Sequence, residues 1–245
     1  MQLLIDGDII AYKIASTNEH PIEWDDDLWT LHSDANEVIK EIDNHLGYLI
    51  TTINEANGKP IDEVIIALTD KSNFRKDVYE DYKANRKNNR KPLCLKAVRQ
   101  HLVDHWDAVI MDNLEADDVI SILASKKKSI IVSEDKDLQQ IPGLHWDGEF
   151  LVTIGKTDAY RFFLSQVLTG DSSDNYKGCS GIGPVKAKRM LEEMPVEEIW
   201  PSIVEAYEKA GQSEDEAVLN ARMAYLLKAK DYNQKTGEVN LWNPV

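Results

Sequence analysis

The chain has 245 residues, of which 42% are hydrophobic and 29% charged, and its net charge is −15. This length suffices for one large domain, or a domain with a small appendage, and the composition excludes wholesale disorder. No apolar run reaches the roughly 18 residues that a membrane span needs. The first residues have no basic flank, and Asp6 and Asp8 interrupt their apolar run, so we do not expect a signal peptide. Two cysteines, Cys94 and Cys179, without metal-ligand spacing predict a reducing, cytoplasmic compartment and no disulfide.

The negative charge is unevenly distributed along the chain. Residues 71–99 carry 10 basic and 3 acidic side chains, and residues 177–189 carry 4 basic and none acidic. Taken alone, the total argues against a nucleic-acid partner, because two polyanions repel each other. The two basic islands instead predict local contacts with an anionic partner.

Short apolar runs alternate with helical patterns in the first part of the chain. The runs at 3–5, 64–68, 108–111 and 129–132 predict buried parallel strands. A helix should begin near Ser33 or Asp34, with Glu37 in capping-box spacing, and stop before Gly58. Two further helices are predicted at about 95–105 and 115–127. This order predicts an α/β fold whose mainly parallel central sheet is flanked by helices.

The strand signal disappears from about residue 160. Helical patterns follow at about 161–169, 183–193, 196–210 and 214–230. We therefore predict an α/β core at 1–160 and a helical region at 161–245. The acidic run at 25–27 is predicted to be a solvated loop.

Acidic residues cluster where the predicted strands end. Because the carboxyl ends of parallel strands meet at one edge of a sheet, these side chains should converge and repel each other. Divalent cations such as Mg²⁺ or Mn²⁺, which prefer oxygen ligands, would offset that repulsion. Any one such residue could instead cap a helix or form a turn. Asp6, Asp70 and Asp135 end predicted strands, whereas Glu115, Asp117 and Asp118 open a predicted helix. Asp137 lies in a predicted loop, and Asp171 and Asp174 lie at another predicted helix end.

The first basic island combines aromatic and cationic side chains. A helix there would place Tyr82, Arg86 and Arg90 on one side, with Lys83 next to them. Aromatic rings that stack on bases and cations that contact phosphates are typical of single-strand binding. A solvated basic helix with packed tyrosines explains the same composition equally well.

The second basic island contains two closely spaced glycines. Gly181 and Gly183 precede an amphipathic stretch with Lys186 and Lys188, which fits a helix-hairpin-helix at about 177–191. The glycines allow a tight turn whose N–H groups reach a phosphate, and the lysines would add contacts that do not depend on base sequence. A bare G-x-G is weak by itself; its basic flank and helical setting strengthen the hypothesis.

Taken together, the motifs resemble those of the 5′-3′ exonucleases of the flap endonuclease superfamily. The chain is similar to bacteriophage replication exonucleases and to the 5′-nuclease domain of bacterial DNA polymerase I. The resemblance covers roughly residues 1–195, and it is carried by the segments 6–8, 82–86, 115–118, 133–137, 170–175 and 181–183.

The resemblance implies a Mg²⁺- or Mn²⁺-dependent nuclease with two metal ions. Four carboxylates, those of Asp6, Asp70, Glu115 and Asp117, would serve one ion, and those of Asp135, Asp137, Asp171 and Asp174 the other, with Asp118 bridging or holding waters. Lys83 and Arg86 would contact the scissile phosphate, and Tyr82 would stack on the terminal base. The hairpin around Gly181 would grip duplex DNA, with K⁺ bound there.

The resemblance also implies the partner and the setting. The substrate would be DNA with 5′ ends, nicks or flaps, cut by a monomer during replication or recombination, in the host cytoplasm if the chain is viral. Only 45 positions separate Asp70 from Glu115, so the helical arch at about 71–99 must be short. This spacing favours exonuclease action over strict threading of flaps.

Two alternatives remain open at the level of sequence. The chain could be a catalytically idle protein that binds DNA junctions through the hairpin and the first basic island. It could also be a ribonuclease of the related PIN-like class, which the hairpin disfavours.

Overall fold

The computed structural model describes residues 1–192 and 194–244 of the chain. In chain order its elements are β1 (Gln2–Asp6), α1 (Gly7–Thr17), β2 (His20–Asp25), β3 (Leu28–His32), α2 (Ala35–Asn57), β4 (Glu63–Ala67), α3 (Phe74–Val78), α4 (Leu95–Trp106), α5 (Ala116–Ala124), β5 (Ser129–Val132), β6 (Gly143–Trp146), β7 (Leu151–Ile154), α6 (Lys156–Thr169), α7 (Pro184–Glu192), α8 (Val196–Lys209), α9 (Glu214–Ala224), β8 (Tyr232–Asn233) and β9 (Glu238–Val239). Short 3₁₀ turns lie at Ala84–Arg86 and Lys136–Gln140.

A five-stranded sheet in the order β4-β1-β5-β6-β7 forms the centre of the fold. The first four strands are parallel, and β7 is antiparallel to β6. Leu3, Leu4 and Ile5 are fully buried because helices cover both faces of β1. The predicted α/β fold with a mainly parallel sheet is therefore confirmed, whereas strands β6 and β7 were not predicted.

The predicted strand at 108–111 is wrong. Of these residues only Val109 pairs with the sheet, through a single parallel bridge to Ala67, the last residue of β4. Left-handed backbone at Asp107 and Asn113, with φ of 50° and 64°, bends the chain on both sides and prevents a longer pairing.

Helix α2 follows from local sequence signals. Asp34 accepts hydrogen bonds from the N–H groups of Asn36 and Glu37 at its start, and Gly58 ends it with φ of 63°. Val38, Ile42, Leu46 and Ile53 form its buried stripe. The helices predicted at 95–105 and 115–127 correspond to α4 and to the shorter α5.

Residues 20–32 form a hairpin that the sequence analysis did not predict. Strands β2 and β3 pair antiparallel, the acidic run 25–27 lies at their turn, and every residue from 20 to 32 is exposed, Trp24 and Trp29 among them. No helix of the described residues has the length and apolar character that crossing a bilayer requires.

The last third of the described chain is mostly helical. Helices α6 to α9 surround a second apolar cluster that includes Leu164, Ile203 and Tyr207. Helix α9 ends at Ala224, short of the predicted 230, and Glu193 of the helix predicted at 183–193 lies outside the described residues. Beyond α9, Leu226 and Leu227 pack against the sheet and α5. The division predicted at residue 160 stays a prediction.

Candidate active site

The carboxyl ends of β1, β4 and β5 gather most of the predicted carboxylates around two adjoining cavities of about 620 and 490 Å³. Lys83, Arg86 and Ile9 line both cavities, as do Asp117 and Asp135. The larger cavity adds Asp6, Asp70 and Glu115, and the smaller one adds Asp137, Asp171 and Asp174. Eight of the nine predicted carboxylates therefore share one cleft, with two cations at its centre.

Asp6 joins the sheet to the cleft. It ends β1 and caps α1, since its Oδ1 accepts hydrogen bonds from the N–H groups of Asp8 and Ile9 at 3.1 and 3.2 Å. The Ser133 hydroxyl donates to its Oδ2 at 2.9 Å. Burial raises the pKa of Asp6 to about 6 even though these hydrogen bonds favour the ionised form. A neighbouring cation would reverse that shift.

Asp70 is held by its own loop. The Ser72 hydroxyl and the Asn113 N–H donate to its Oδ2 at 2.7 and 2.9 Å, and these bonds lower the pKa of Asp70 to about 2. Asp70 is therefore ionised at the cavity wall.

Glu115 is surrounded by donors. Tyr82 Oη lies 2.8 Å from its Oε2, Arg75 Nη1 lies 3.4 Å from the same oxygen, and Lys83 pairs with its Oε1. Burial alone would raise the pKa of Glu115, but the charges of Lys83 and Arg75 outweigh it and lower the pKa to about 2. Glu115 is thus ionised and compensated by cations of the protein itself.

Asp174 is bound by the first basic island. Arg86 Nη2 donates to its Oδ1 at 2.6 Å, and Lys83 Nζ lies 3.5 Å from its Oδ2. Lys83 consequently contacts carboxylates of both cavities, whereas Arg86, which also lines both, contacts Asp174 alone among the acids.

Two other acids of the cleft carry raised pKa values. Burial, followed by the charge of Asp135, raises the pKa of Asp137 to about 6. Burial, followed by the charges of Asp6 and Asp135, raises the pKa of Asp117 well above its ordinary value. Among the described residues, no side chain donates to Asp117, whereas Gln166 donates to Asp137 Oδ1 at 2.6 Å.

The stability of the metal-free protein should therefore fall as the pH rises from about 4 to about 6. An acid whose pKa is raised by folding binds its proton more tightly in the native state, so its contribution is present below the unfolded pKa and lost through the folded one. Urea unfolding in EDTA across this range measures the effect, which Asp137→Asn should reduce. A profile in which Asp137→Asn changes nothing would contradict the assignment.

Asp118 does not belong to the cleft, which corrects the proposed bridging role. Its side chain is fully buried on α5 and pairs with both Nη atoms of Arg75, at 2.6 and 2.9 Å. Asp118 and Glu115 both contact Arg75 Nη1, at 2.6 and 3.4 Å, but only Glu115 also reaches the cavity, where its Oε1 pairs with Lys83. The Asp118 carboxylate neutralises the charge of buried Arg75, so we no longer count Asp118 among the candidate metal ligands.

The helix expected through Tyr82, Arg86 and Arg90 does not form, because residues 79–83 and 87–94 are not helical, and the short helical arch at 71–99 stays a prediction. Lys83 adopts left-handed backbone with φ of 56°, and its N–H donates to the Asp174 carbonyl at 2.9 Å. Helix α3, the 3₁₀ turn 84–86 and turns up to α4 occupy the segment instead. Contacts with the loop around Asp174 override the local helical preference.

Without that helix, the side chains of Tyr82 and Arg90, both predicted to contact DNA, have other partners in the structure. Tyr82 is only 2% exposed, and its hydroxyl lies between Glu115 and Asp174, so its ring is not available to stack on a base in this structure. Arg90 pairs with Glu19 at 2.6 Å, at the base of the exposed hairpin.

The second basic island forms an exposed loop and the start of α7. Gly181 has φ of 76°, which glycine allows without strain, whereas Gly183 has no positive φ. Lys186 and Lys188 are exposed on α7. The loop follows α6 and precedes α7, as a helix-hairpin-helix requires, and its grip on DNA stays a prediction.

The loop carrying Asp171 and Asp174 is closed by two glycines. The backbones of Gly170 and Gly178 lie in contact, both with positive φ, and a Cβ at Gly178 would lie 2.6 Å from the Leu168 carbonyl oxygen. The loop is also bridged by reciprocal hydrogen bonds between Asp171 and Tyr176 at 2.9 and 3.1 Å.

Gly178→Ala should lower the free energy of unfolding by about 2–4 kcal/mol, because it adds a backbone clash to the cost of a positive φ. Gly181→Ala is the matched control, since its φ of 76° is similar but a Cβ there meets nothing within 4 Å. It should cost about 1 kcal/mol. Urea titration compares the two, and equal losses would contradict the close approach.

The donor set of the cleft suits divalent cations. It offers carboxylate oxygens, and two of its acids, Asp6 and Asp137, have pKa values raised to about 6, mainly by burial and further by the charge of Asp135. A divalent cation such as Mg²⁺ or Mn²⁺, which prefers oxygen ligands, would stabilise their ionised forms. Within residues 1–192 and 194–244, however, no three acidic, histidine or cysteine side chains are already gathered as ligands of one ion. Lys83 and Arg86 lie among the carboxylates instead, so metal binding requires these cations to shift.

Several side chains of the cleft were missed at the level of sequence. Arg99 lines the larger cavity and pairs with Asp8, and Lys136 pairs with Asp171 at 3.1 Å in the smaller one. Arg75 and Gln166 support Glu115 and Asp137 from behind. No spacing signal distinguishes them from other polar residues, because their partners are distant along the chain.

The fold and the cleft define a nuclease of the 5′-3′ exonuclease class. Residues 1–154 match the family described as "5′-3′ exonuclease, N-terminal resolvase-like domain", and the chain belongs to this family. It is 27% identical to the exodeoxyribonuclease of Enterobacteria phage T3, covering 99% of this chain and 92% of the relative. It is 32% identical to the flap endonuclease Xni of Shewanella woodyi over 64% of this chain and 70% of that protein.

A solved structure shares the fold. The D15 flap endonuclease of bacteriophage T5, in a complex with DNA and metal ions, matches with a TM-score of 0.63 and 16% identity, covering 92% of this chain and 89% of that one. The resemblance to the flap endonuclease superfamily is thereby confirmed for family and fold.

Proposed function

We propose that the chain is a divalent-metal-dependent 5′-3′ exonuclease acting on DNA, with a further activity on 5′ flaps. The observation that carries this proposal is the cleft in which eight of the nine predicted carboxylates line two adjoining cavities around Lys83 and Arg86. The phage and bacterial relatives are named as an exonuclease and as a flap endonuclease, which supports the same reaction.

The acidic and basic residues of the cleft would have separate roles in this reaction. Asp6, Asp70, Glu115 and Asp117 would hold one cation in the larger cavity, and Asp135, Asp137, Asp171 and Asp174 a second cation in the smaller one. When bound, Mg²⁺ or Mn²⁺ activates water for attack and neutralises charge on the phosphodiester. Lys83 and Arg86 would leave their carboxylate partners to contact the scissile phosphate, stabilising its developing charge.

The wider surface suits a DNA end. Lys186 and Lys188 are exposed on α7 and would contact the duplex, with a K⁺ ion at the Gly181 turn. The segment between α3 and α4 contains only short turns, which favours action at a free 5′ end or nick. We propose that the enzyme acts as a monomer in the cytoplasm, which would be the host's cytoplasm if the chain is a phage protein. The free thiols of Cys94 and Cys179 agree with such a reducing compartment.

The test is release of nucleotides from 5′-labelled duplex, nicked and flapped DNA with and without Mg²⁺. We expect release from the 5′ end that EDTA abolishes, together with slower cleavage of the flap. Turnover in EDTA would overturn metal dependence. Tight DNA binding without turnover in Mg²⁺ or Mn²⁺ would support the idle junction binder, and preference for RNA of equal structure would support the PIN-like ribonuclease.

A further inference from the structure

A buried arginine joins the last turn of α9 and the residues that follow it to a carboxylate of the cleft. Arg75 lies on α3 with 1% of its surface exposed and forms a two-point ion pair with Asp118. Its Nε donates to the Met223 carbonyl at 2.9 Å, and its Nη2 donates to the Tyr225 carbonyl at 2.7 Å. A guanidinium this far from water needs a partner for each donor, and the main chain at 223–225 supplies two of them.

Asp118 binds the same segment from the other side. The Leu227 N–H donates to its Oδ1 at 3.2 Å. Both members of the buried pair are therefore hydrogen-bonded to main-chain groups between residues 223 and 227. The Met223 and Tyr225 carbonyls have a fixed spacing along the main chain. They therefore fix the orientation of the planar guanidinium in addition to accepting its hydrogen bonds.

Arg75 also donates a hydrogen bond to Glu115. Arg75 Nη1 and the Tyr82 hydroxyl both approach Glu115 Oε2, at 3.4 and 2.8 Å, while Oε1 faces Lys83 in the larger cavity. One oxygen is thus held by buried donors. The other is paired only with a partly exposed lysine, which a cation from solution can replace.

We propose that Arg75 is a positioning residue through which segment 223–227 sets the orientation of Glu115 toward the metal-binding cavity. This rests on the function proposed above, because it takes Glu115 as a ligand of a divalent cation. It also gives the chain beyond α9 a part in the active site, although none of its residues lines either cavity.

The experiment compares Mn²⁺ binding, thermal stability and cleavage in matched variants. Arg75→Lys keeps a positive charge for Asp118 but cannot bind both carbonyls and Glu115 at once. Arg75→Met with Asp118→Leu removes both buried charges, a change that buried ion pairs commonly tolerate. Arg222→Lys is the control, since Arg222 also binds the C-terminal chain, through the Trp242 carbonyl at 3.1 Å, without contacting a carboxylate of the cleft.

We expect the Mn²⁺ dissociation constant, measured by calorimetry, to rise about tenfold or more in Arg75→Lys and in the double variant. Their kcat should fall with KM for DNA unchanged, and the double variant should regain the melting temperature that Arg75→Met alone loses. Arg222→Lys should bind Mn²⁺ as the wild type does.

Wild-type Mn²⁺ affinity in Arg75→Lys, or affinity and kcat that recover together with melting temperature in the double variant, would overturn the inference. If the double variant does not fold, Arg75→Lys decides. A wild-type chain that binds Mn²⁺ but cleaves no DNA overturns the proposed function instead, and the comparison of Mn²⁺ affinities still judges the role of Arg75.

Discussion

Replacing Asp117 by asparagine should lower kcat for DNA cleavage by about 10³-fold and, at the same time, stabilise the metal-free protein. Asp117, like Asp135, lines both cavities, so either metal ion would meet it. Its pKa is raised first by burial and then by the charges of Asp6 and Asp135. An amide keeps the shape of the side chain but can neither carry the negative charge that a cation needs nor repel its neighbours.

The stabilisation should amount to about 1–2 kcal/mol, which for a chain of this size raises the melting temperature by about 2–4 °C per kcal/mol. Melting in EDTA and single-turnover cleavage in Mg²⁺ measure the two effects. Asp215→Asn, at an exposed position of α9, should change stability by less than about 0.5 kcal/mol and leave cleavage intact. A lower melting temperature, or cleavage within tenfold of wild type, would refute the role given to Asp117.

Lys83→Met should reduce cleavage by about 10²- to 10³-fold, because the positive charge aimed at the phosphate is lost. It should also destabilise the metal-free protein, the opposite of Asp117→Asn. Lys83 pairs with Glu115 and lies 3.5 Å from Asp174, so its removal leaves two largely buried carboxylates with less compensation. Since Lys83 itself is 19% exposed, we expect a cost of about 2 kcal/mol, between those of surface and buried ion pairs.

Saturating Mg²⁺ should restore most of that stability, because a divalent cation replaces the charge that Lys83 supplies to the carboxylates. The gain in melting temperature on adding Mg²⁺ should therefore be larger for Lys83→Met than for the wild type. Lys127→Met is the control, since Lys127 pairs with Glu63 at the protein surface, 2.8 Å away and outside the cleft. Equal gains with Mg²⁺ in all three proteins would contradict competition between Lys83 and a metal ion.

The opposite effects of Asp117→Asn and Lys83→Met on stability follow from how the negative charges of the cleft are neutralised. In the metal-free structure Glu115 and Asp174 are neutralised by cations of the chain, whereas Asp117 is not. Removing an uncompensated charge stabilises, and removing the compensating one destabilises. Activity should fall in both cases, because the proposed function has each group act on the same phosphodiester.

Much of the site could be predicted from local patterns. Asp6 and Asp135 follow buried apolar runs, and the parallel order of those runs brings their ends to one sheet edge. Asp171 and Asp174 are carried by a loop whose glycines were visible in the sequence. These predictions depend only on strand polarity and on turn residues, which are properties of short segments.

Other predictions failed where distant contacts decide. Tyr82 was expected to face a base but is buried between Glu115 and Asp174, because Lys83 turns the chain in left-handed backbone against the 171–175 loop. Asp118 has the same residue type and nearly the same position as Asp117, yet it pairs with Arg75 inside the protein. The partners of Tyr82 and of Asp118 are both more than 30 positions away along the chain, so local sequence patterns do not reveal them.

The sequence by itself thus determined the parallel α/β core, the edge at which the carboxylates meet and the family to which the chain belongs, because periodicity and motif order are encoded over a few residues. Only the tertiary structure decided which of those acids face the cleft, which cations neutralise them and how segment 223–227 reaches Glu115 through Arg75. Those choices depend on groups up to 150 positions apart, whose burial makes each ion pair necessary.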